Sequence, residues 1–299
     1  MTHGSDSSKA TNQKMGPGLM QPQAMWFARR GWAVAIVSRR GYGTSGGTME
    51  KSHLHCDQAG FAAAAAENAS DLLAVYESLK LLPMVDGDLA IATGNSAGGY
   101  AAVALGAHAQ RALKAVINFS GGWHSTFFSG SCTKSGLVPE FAALGADSHI
   151  PELWLYAKND SLFGPKYVTQ VHDAFTSAGG NAELPAIGKS GDDGHYLFSE
   201  SPEIWGPLVE EFLRNRGFPH QDLDPEVKKR SVVLPSYFSN DLKEAFSKFE
   251  KMGPNKAFAA GLNGEWGYSS GRQTLKIATD EALDRCRNSG CRVIASEGK

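Results

Sequence analysis

Leu89-Ala90-Ile91-Ala92-Thr93 is an apolar run, Gly94-Asn95-Ser96-Ala97-Gly98 a small-residue turn, and Gly99-Tyr100-Ala101-Ala102-Val103-Ala104-Leu105 a helix-forming stretch. A serine between a strand and a helix in immediate succession stands on a strained turn that lifts its hydroxyl clear of the sheet. The pattern G-x-S-x-G alone decides nothing, because it occurs three times, at residues 43–47, 94–98 and 267–271. Only the middle occurrence has a strand before it and a helix after it. Ser45 lies in a glycine-rich loop with no helix following, and Ser269 lies late in the chain. Ser96 is therefore the candidate nucleophile, and small residues at 94 and 98 let the helix start close to the strand.

Working outward, residues 20–216 alternate helical and strand patterns, which predicts a mostly parallel sheet covered by helices. Strands are expected at 32–37, 89–93, 113–119, 153–157 and 182–187. Helices are expected near 22–30, 67–82, 97–109, 166–177 and 203–214. Beyond Gly217 the texture changes. Residues 218–240, rich in proline and charge, read as a linker. A small α+β module of ββα-β order follows over 241–299, with Leu242, Ala245, Phe246 and Phe249 striping a short helix. The turn between its first two strands falls at Leu262-Asn263-Gly264. Residues 1–217 form the larger, catalytic domain in this reading.

A hydroxyl is a weak nucleophile until a base takes its proton. Where a serine stands on such a turn, the acid follows a later strand and the histidine comes after the last, in the order Ser–Asp–His. Leu153-Trp154-Leu155-Tyr156-Ala157-Lys158-Asn159-Asp160 is an apolar strand ending in a carboxylate. Gly191-Asp192-Asp193-Gly194-His195 is a glycine-rich loop after the strand at 182–187. Asp160 is thus the candidate acid and His195 the candidate base. Asp192 and Asp193 compete for the acid's role, though neighbours so close in sequence aim awkwardly at their own histidine. His108, His172 and His220 read as surface residues on or after helices. An oxyanion needs two backbone N–H groups aimed at it, and Ala97, directly after the nucleophile, supplies one.

The composition excludes other classes. A formal net charge of −2 and no long single-sign stretch argue against a nucleic-acid surface. No apolar run approaches a membrane span, and the polar opening residues form no signal peptide. His53, His55 and Cys56 invite a metal reading, but a fourth ligand is lacking nearby and the chemistry needs no metal or cofactor. The four cysteines, Cys56, Cys132, Cys286 and Cys291, allow two disulfides or four buried thiols.

The run Arg39-Arg40-Gly41-Tyr42-Gly43-Thr44-Ser45-Gly46-Gly47, the turn at Ser96, Asn159-Asp160 and Gly194-His195 together resemble α/β-hydrolases of the dienelactone-hydrolase and prolyl-oligopeptidase-like kind. The resemblance covers roughly residues 1–215. It implies an α/β-hydrolase sheet and an acyl-enzyme mechanism on small-molecule esters, with peptide or amide cleavage as the alternative. A non-catalytic binding role is the third reading. Dienelactone hydrolases use a cysteine nucleophile, so their lactone activity does not carry over to Ser96. His3-Gly4-Ser5 looks like the family's His-Gly turn, which makes the Ser5 N–H the second oxyanion donor. The end of the chain looks like a module on exported bacterial members. That likeness implies the bridges Cys286–Cys291 and Cys56–Cys132 and a periplasmic or secreted location. Family members carry three strands before the His-Gly turn, so the sheet is expected to lack its first strands and the chain as given to be weakly active. The stretch between the strands at 113–119 and 153–157 is where lids are inserted, and Trp123, Phe127 and Phe128 there read either as an aromatic wall or as core.

Overall fold

The computed structural model describes residues 1–6, 8–49, 57–108, 113–123, 136–223, 239–261, 264–287 and 290–297. In chain order the helices are α1 (Lys9–Lys14), α2 (Gln21–Ala28), α3 (Gln58–Leu79), α4 (Ala97–Ala107), α5 (Leu137–Asp147), α6 (Pro165–Ser177), α7 (Leu197–Glu200), α8 (Pro202–Arg214), α9 (Asn240–Glu250) and α10 (Leu275–Cys286). The strands are β1 (Ala90–Asn95), β2 (Leu113–Phe119), β3 (Pro151–Leu155), β4 (Asn181–Glu183), β5 (Lys256–Ala260), β6 (Trp266–Ser269) and β7 (Arg292–Glu297). They divide between two compact units, one of residues 1–17 and 33–218, the other of 18–32 and 219–299.

The larger unit is built on a parallel sheet of order β1-β2-β3-β4. Parallel neighbours need a crossover between them, and α4, α5 and α6 supply it. Ten of the eleven residues of α4 are buried, among them Ala101, Ala102, Val103 and Ala104. A helix apolar all round belongs inside, between a sheet and other helices, and α4 packs against β1 and β2 on one side and α3 and α5 on the other. Trp154 on β3 meets Phe141 of α5 and Phe175 of α6, with ring centroids 5.3 and 4.9 Å away. On the opposite face Phe119, at the end of β2, stacks on Phe198 at 3.9 Å and meets Trp205 of α8 edge-on at 5.3 Å.

Two expected strands turn out shorter. Residues 32–37 form no named strand and carry a single bridge, Val37 to Thr2, and Thr2 bridges Gly94 on its other side. Val37 donates to Met1 O at 2.8 Å, Thr2 to Thr93 O at 3.0 Å, and Asn95 to Thr2 O at 3.3 Å. Met1-Thr2 therefore lies between that segment and β1, and its short pairing limits the ladder. The run 182–187 yields only β4 and a lone bridge between Ile187 and Ala157, because Pro185 between them has no N–H to give. Helix α3 starts nine residues before the expected 67, its N-terminus capped by Asp57, whose carboxylate accepts from Gly60 N–H at 2.8 Å. Helix α5 forms in the stretch between the strands expected at 113–119 and 153–157, where no helix is expected, since Leu137, Phe141 and Leu144 make one buried stripe.

The smaller unit has an antiparallel sheet of order β6-β5-β7, matching the expected ββα-β run. Helix α9 covers one face, setting Phe246 and Phe249 at 5.1 and 5.3 Å from Phe258. Helix α10 covers the other, with Ala278 and Ala282 clustered on Ala257 and Ala259. Cys286 and Cys291 are disulfide-bonded, closing the turn from α10 to β7. The other expected bridge, Cys56–Cys132, lies outside the described residues, as do residues 262–263, 224–238, Phe127, Phe128, His53 and His55. This unit also takes up α2, placed in sequence within the larger domain. Gln21 donates to Arg272 O at 2.9 Å, and Arg29 pairs with Asp222 at 3.1 Å. Trp32 Nε1 donates to Pro219 O at 2.9 Å.

Candidate active site

Ser96 directly follows β1 and caps α4 with φ 56° and ψ −124°. A non-glycine residue there costs about 1–3 kcal/mol and persists only where its surroundings over-determine it. They do here. Ser96 N–H donates to Phe119 O at 2.9 Å, while Ser96 O accepts from Tyr100 N–H at 3.1 Å and Gly122 N–H at 3.2 Å. The turn also demands glycines: a Cβ on Gly94 would fall 2.2 Å from Gly98 O, and one on Gly98 would fall 2.4 Å from Thr2 O. The other two pattern serines have structural partners. Ser45 Oγ donates to Ser38 O at 2.7 Å, and Ser269 Oγ to Glu281 at 2.8 Å.

Asp160 follows β3 and His195 follows β4, so both stand with Ser96 at the carboxyl ends of parallel strands, where open α/β sheets bind ligands. His195 Nδ1 is 3.2 Å from each carboxylate oxygen of Asp160. Asp160 Oδ1 also accepts from the N–H groups of Leu162 at 2.9 Å and Phe163 at 2.8 Å, so the carboxylate cannot turn away. A carboxylate only accepts, which places the shared proton on Nδ1 and leaves Nε2 as a lone pair. The Phe163 ring lies 5.7 Å from the His195 ring, and a Cβ on Gly122 would meet that same ring at 2.8 Å. Ser96 and His195 are thus linked through Gly122 and Phe163; among the described residues no hydrogen bond joins them directly. Unliganded catalytic pairs are often loose and tighten on substrate.

Asp193 has other work. Its Oδ1 accepts from His195 N–H at 2.9 Å and Ser161 N–H at 3.0 Å, and its Oδ2 from Ser161 Oγ at 2.6 Å. Partial burial would raise its pKa, but these donors outweigh that and lower it. It caps the turn carrying His195, whose ring looks to Asp160. Asp192 is exposed. Ala97 opens α4, where first-turn N–H groups have no partner within the helix. Beside it, a Cβ on Gly4 would lie 3.0 Å from Ser96 Cβ and 3.6 Å from Ser96 Oγ, so the His3–Ser5 turn flanks the serine. Trp123 is buried, as core rather than wall. His172 is half-buried, with its ring 5.7 Å from Trp154 and Nε2 bonded to Ala182 O at 3.0 Å.

Two side chains to which the sequence alone assigned no role brace these loops. Asn159 holds the histidine loop, donating to Ser190 O and Gly191 O at 3.2 Å and accepting from Ser190 N–H at 2.9 Å. Tyr156 donates to Gly121 O at 2.5 Å and accepts from Asn118 Nδ2 at 3.1 Å, bracing the segment that clamps Ser96. Asn159 was detectable as the amide beside the acid, whereas Tyr156 looked like any other strand residue. No described helix is long and apolar enough to cross a membrane.

Known proteins give the arrangement its context. The structure resembles the esterase Pf2001 of Pyrococcus furiosus with a TM-score of 0.50 at 19% identity, covering 72% of this chain and 78% of that one. It resembles esterase 2 of Thermogutta terrifontis, solved phosphoramylated by tabun, with a TM-score of 0.50 at 18% identity, covering 74% and 83%. These likenesses show the α/β-hydrolase fold. No curated protein matches the sequence. The family model of the X-Pro dipeptidyl-peptidases (S15 family) matches residues 3–157; Asp160 and His195 lie beyond it, so their pairing rests on geometry. Since that match spans just over half of the chain, from the turn beside Ser96 through the end of the third parallel strand, the chain belongs to the X-Pro dipeptidyl-peptidase (S15) family.

Proposed function

We propose that this chain hydrolyses carboxylic esters through an acyl-enzyme formed on Ser96. The observation that carries the reading is the buried His195–Asp160 pair at 3.2 Å, at the same sheet end as a serine held at φ 56°. In the proposed cycle His195 Nε2 takes the Ser96 proton as Oγ attacks the ester carbonyl carbon. Asp160 keeps the imidazole in one tautomer and stabilises the imidazolium. The oxyanion is received by the N–H groups of Ala97 and of the His3–Ser5 turn, Ser5 first among them. His195 then protonates the departing alcohol. Water repeats the sequence on the acyl-enzyme and frees the acid and Ser96.

The second reading is peptide cleavage, and the family match favours it. The same triad serves both reactions, but an alcohol departs more readily than an amine and asks less of the proton donor. Turnover of nitrophenyl esters against aminoacyl and X-Pro anilides decides between them. Faster specific turnover of the anilides would overturn the ester assignment, and failure of a fluorophosphonate to label Ser96 would overturn both. We place the protein in the periplasm or outside the cell. The Cys286–Cys291 bridge supports this, because such bonds persist in oxidising compartments; four alkylatable thiols in natively isolated protein would count against it.

A further inference from the structure

Arg39 is fully buried, and so is Tyr42 three residues on. A guanidinium taken out of water needs acceptors in the protein. Its two terminal nitrogens are spent on the residues beside the nucleophile. Arg39 donates to Thr2 Oγ1 at 2.9 Å and His3 O at 2.5 Å, and reaches Ser5 Oγ at 3.5 Å. Its guanidinium lies over the Tyr42 ring, 5.0 Å from the centroid. The Tyr42 hydroxyl bonds Ser5 Oγ at 2.5 Å, and the His3 ring packs on Tyr42 at 4.8 Å. His3 bonds back to Gly4 O through Nδ1 at 2.6 Å. Burial, with Arg39 nearby, lowers its pKa to about 3, so it adds no second charge. Every side chain of the turn facing this segment is tied to it, and Gly4 between them lies against Ser96.

We propose that Arg39 and Tyr42 are positioning residues for the oxyanion donor, holding the His3–Ser5 turn at the distance from Ser96 that the developing charge requires. The inference rests on the serine-hydrolase reading above. Neither side chain touches substrate; both act through the backbone of residues 3–5. A donor that helps only in the transition state changes kcat and leaves KM alone. A loosened turn should therefore weaken binding of a tetrahedral adduct without disturbing the ground state.

The test uses the whole chain with Tyr42→Phe, Ser5→Ala and the double variant; the single variants remove opposite ends of the Tyr42–Ser5 bond, and all three leave the backbone N–H groups intact. The readouts are kcat and KM on a nitrophenyl ester, and affinity for phenylboronic acid, which forms a tetrahedral adduct on a catalytic serine. Each single variant should lose about tenfold in kcat, short of the 10²–10³ that losing a donor outright costs. KM should hold, boronate affinity should fall by the same factor, and the double variant should be no worse than either single one. Arg39→Ala should show a larger loss, partly restored by added guanidinium; if it does not fold, the Tyr42–Ser5 cycle still decides. Additive losses, a rise in KM at constant kcat, or boronate affinity unmoved while kcat falls would each overturn the proposal. Wild-type protein that takes no fluorophosphonate would instead overturn the hydrolase reading, and this inference with it.

Discussion

Asp160 and Asp193 both approach His195, one at its ring and one at its backbone, and that difference gives the sharpest residue-level prediction. Asp160→Asn keeps the shape but donates where the ring needs an acceptor, so it should lower kcat by about 10⁴-fold. Asp193→Asn loses a turn cap, typically worth ~1 kcal/mol, and should keep most of its activity. Steady-state kinetics on one ester checks both, and the reverse ranking would exchange their roles. Ser96, Asp160 and His195 stand out in the sequence because each is a polar residue breaking an apolar or glycine-rich run at a strand end. Arg39 and Tyr42 were visible only as a motif. Their partners, Thr2, His3 and Ser5, lie more than thirty positions earlier, and side-chain periodicity carries no information at that separation.

At the level of elements, Glu152 anchors the start of β3. Its carboxyl accepts from Ser148 Oγ at 3.0 Å and Trp154 Nε1 at 2.7 Å, fully buried. Burial raises its pKa from 4.5 to about 8, against the downward pull of those two donors. The folded chain then holds a proton that the unfolded chain releases above about pH 4.5. Stability from this group is full below that pH and declines as pH rises toward 8. Glu152→Gln, neutral throughout, should melt with the wild type at pH 5 and above it at pH 8.5. The gap should follow the usual scale of about 2–4 °C per kcal/mol for a unit of this size. Melting curves at the two pH values check it, and a gap independent of pH would refute it. Element type was legible wherever periodicity was strong, as in α6 and α8. It failed where pairing depended on a distant partner, as at residues 32–37, or on one proline, as after β4.

For the whole molecule, two units with separate cores should unfold in two calorimetric transitions. Reduction of Cys286–Cys291 should lower only one of them, by about 2 kcal/mol on the loop-entropy scale for so short a loop. A scan with and without dithiothreitol checks this, and equal shifts in both transitions would contradict it. The change of texture after Gly217 was legible as a boundary. The allegiance of α2 was not, since its composition matches its neighbours in sequence and only its hydrogen bonds to Arg272 and the 219–223 segment reveal it.

That allegiance bears on the order of assembly. The chain enters the smaller unit at residue 18, leaves it at 32, and returns at 219. A ribosome therefore delivers α2 long before the segment it bonds to, and Gln21 waits 251 positions for Arg272. During synthesis the larger unit can close around its sheet while α2 stays undocked, a loop with both ends already fixed. Contacts of such long sequence separation form slowly. The smaller unit should be the last to gain protection from hydrogen exchange and the first to lose it when the distal segment is late.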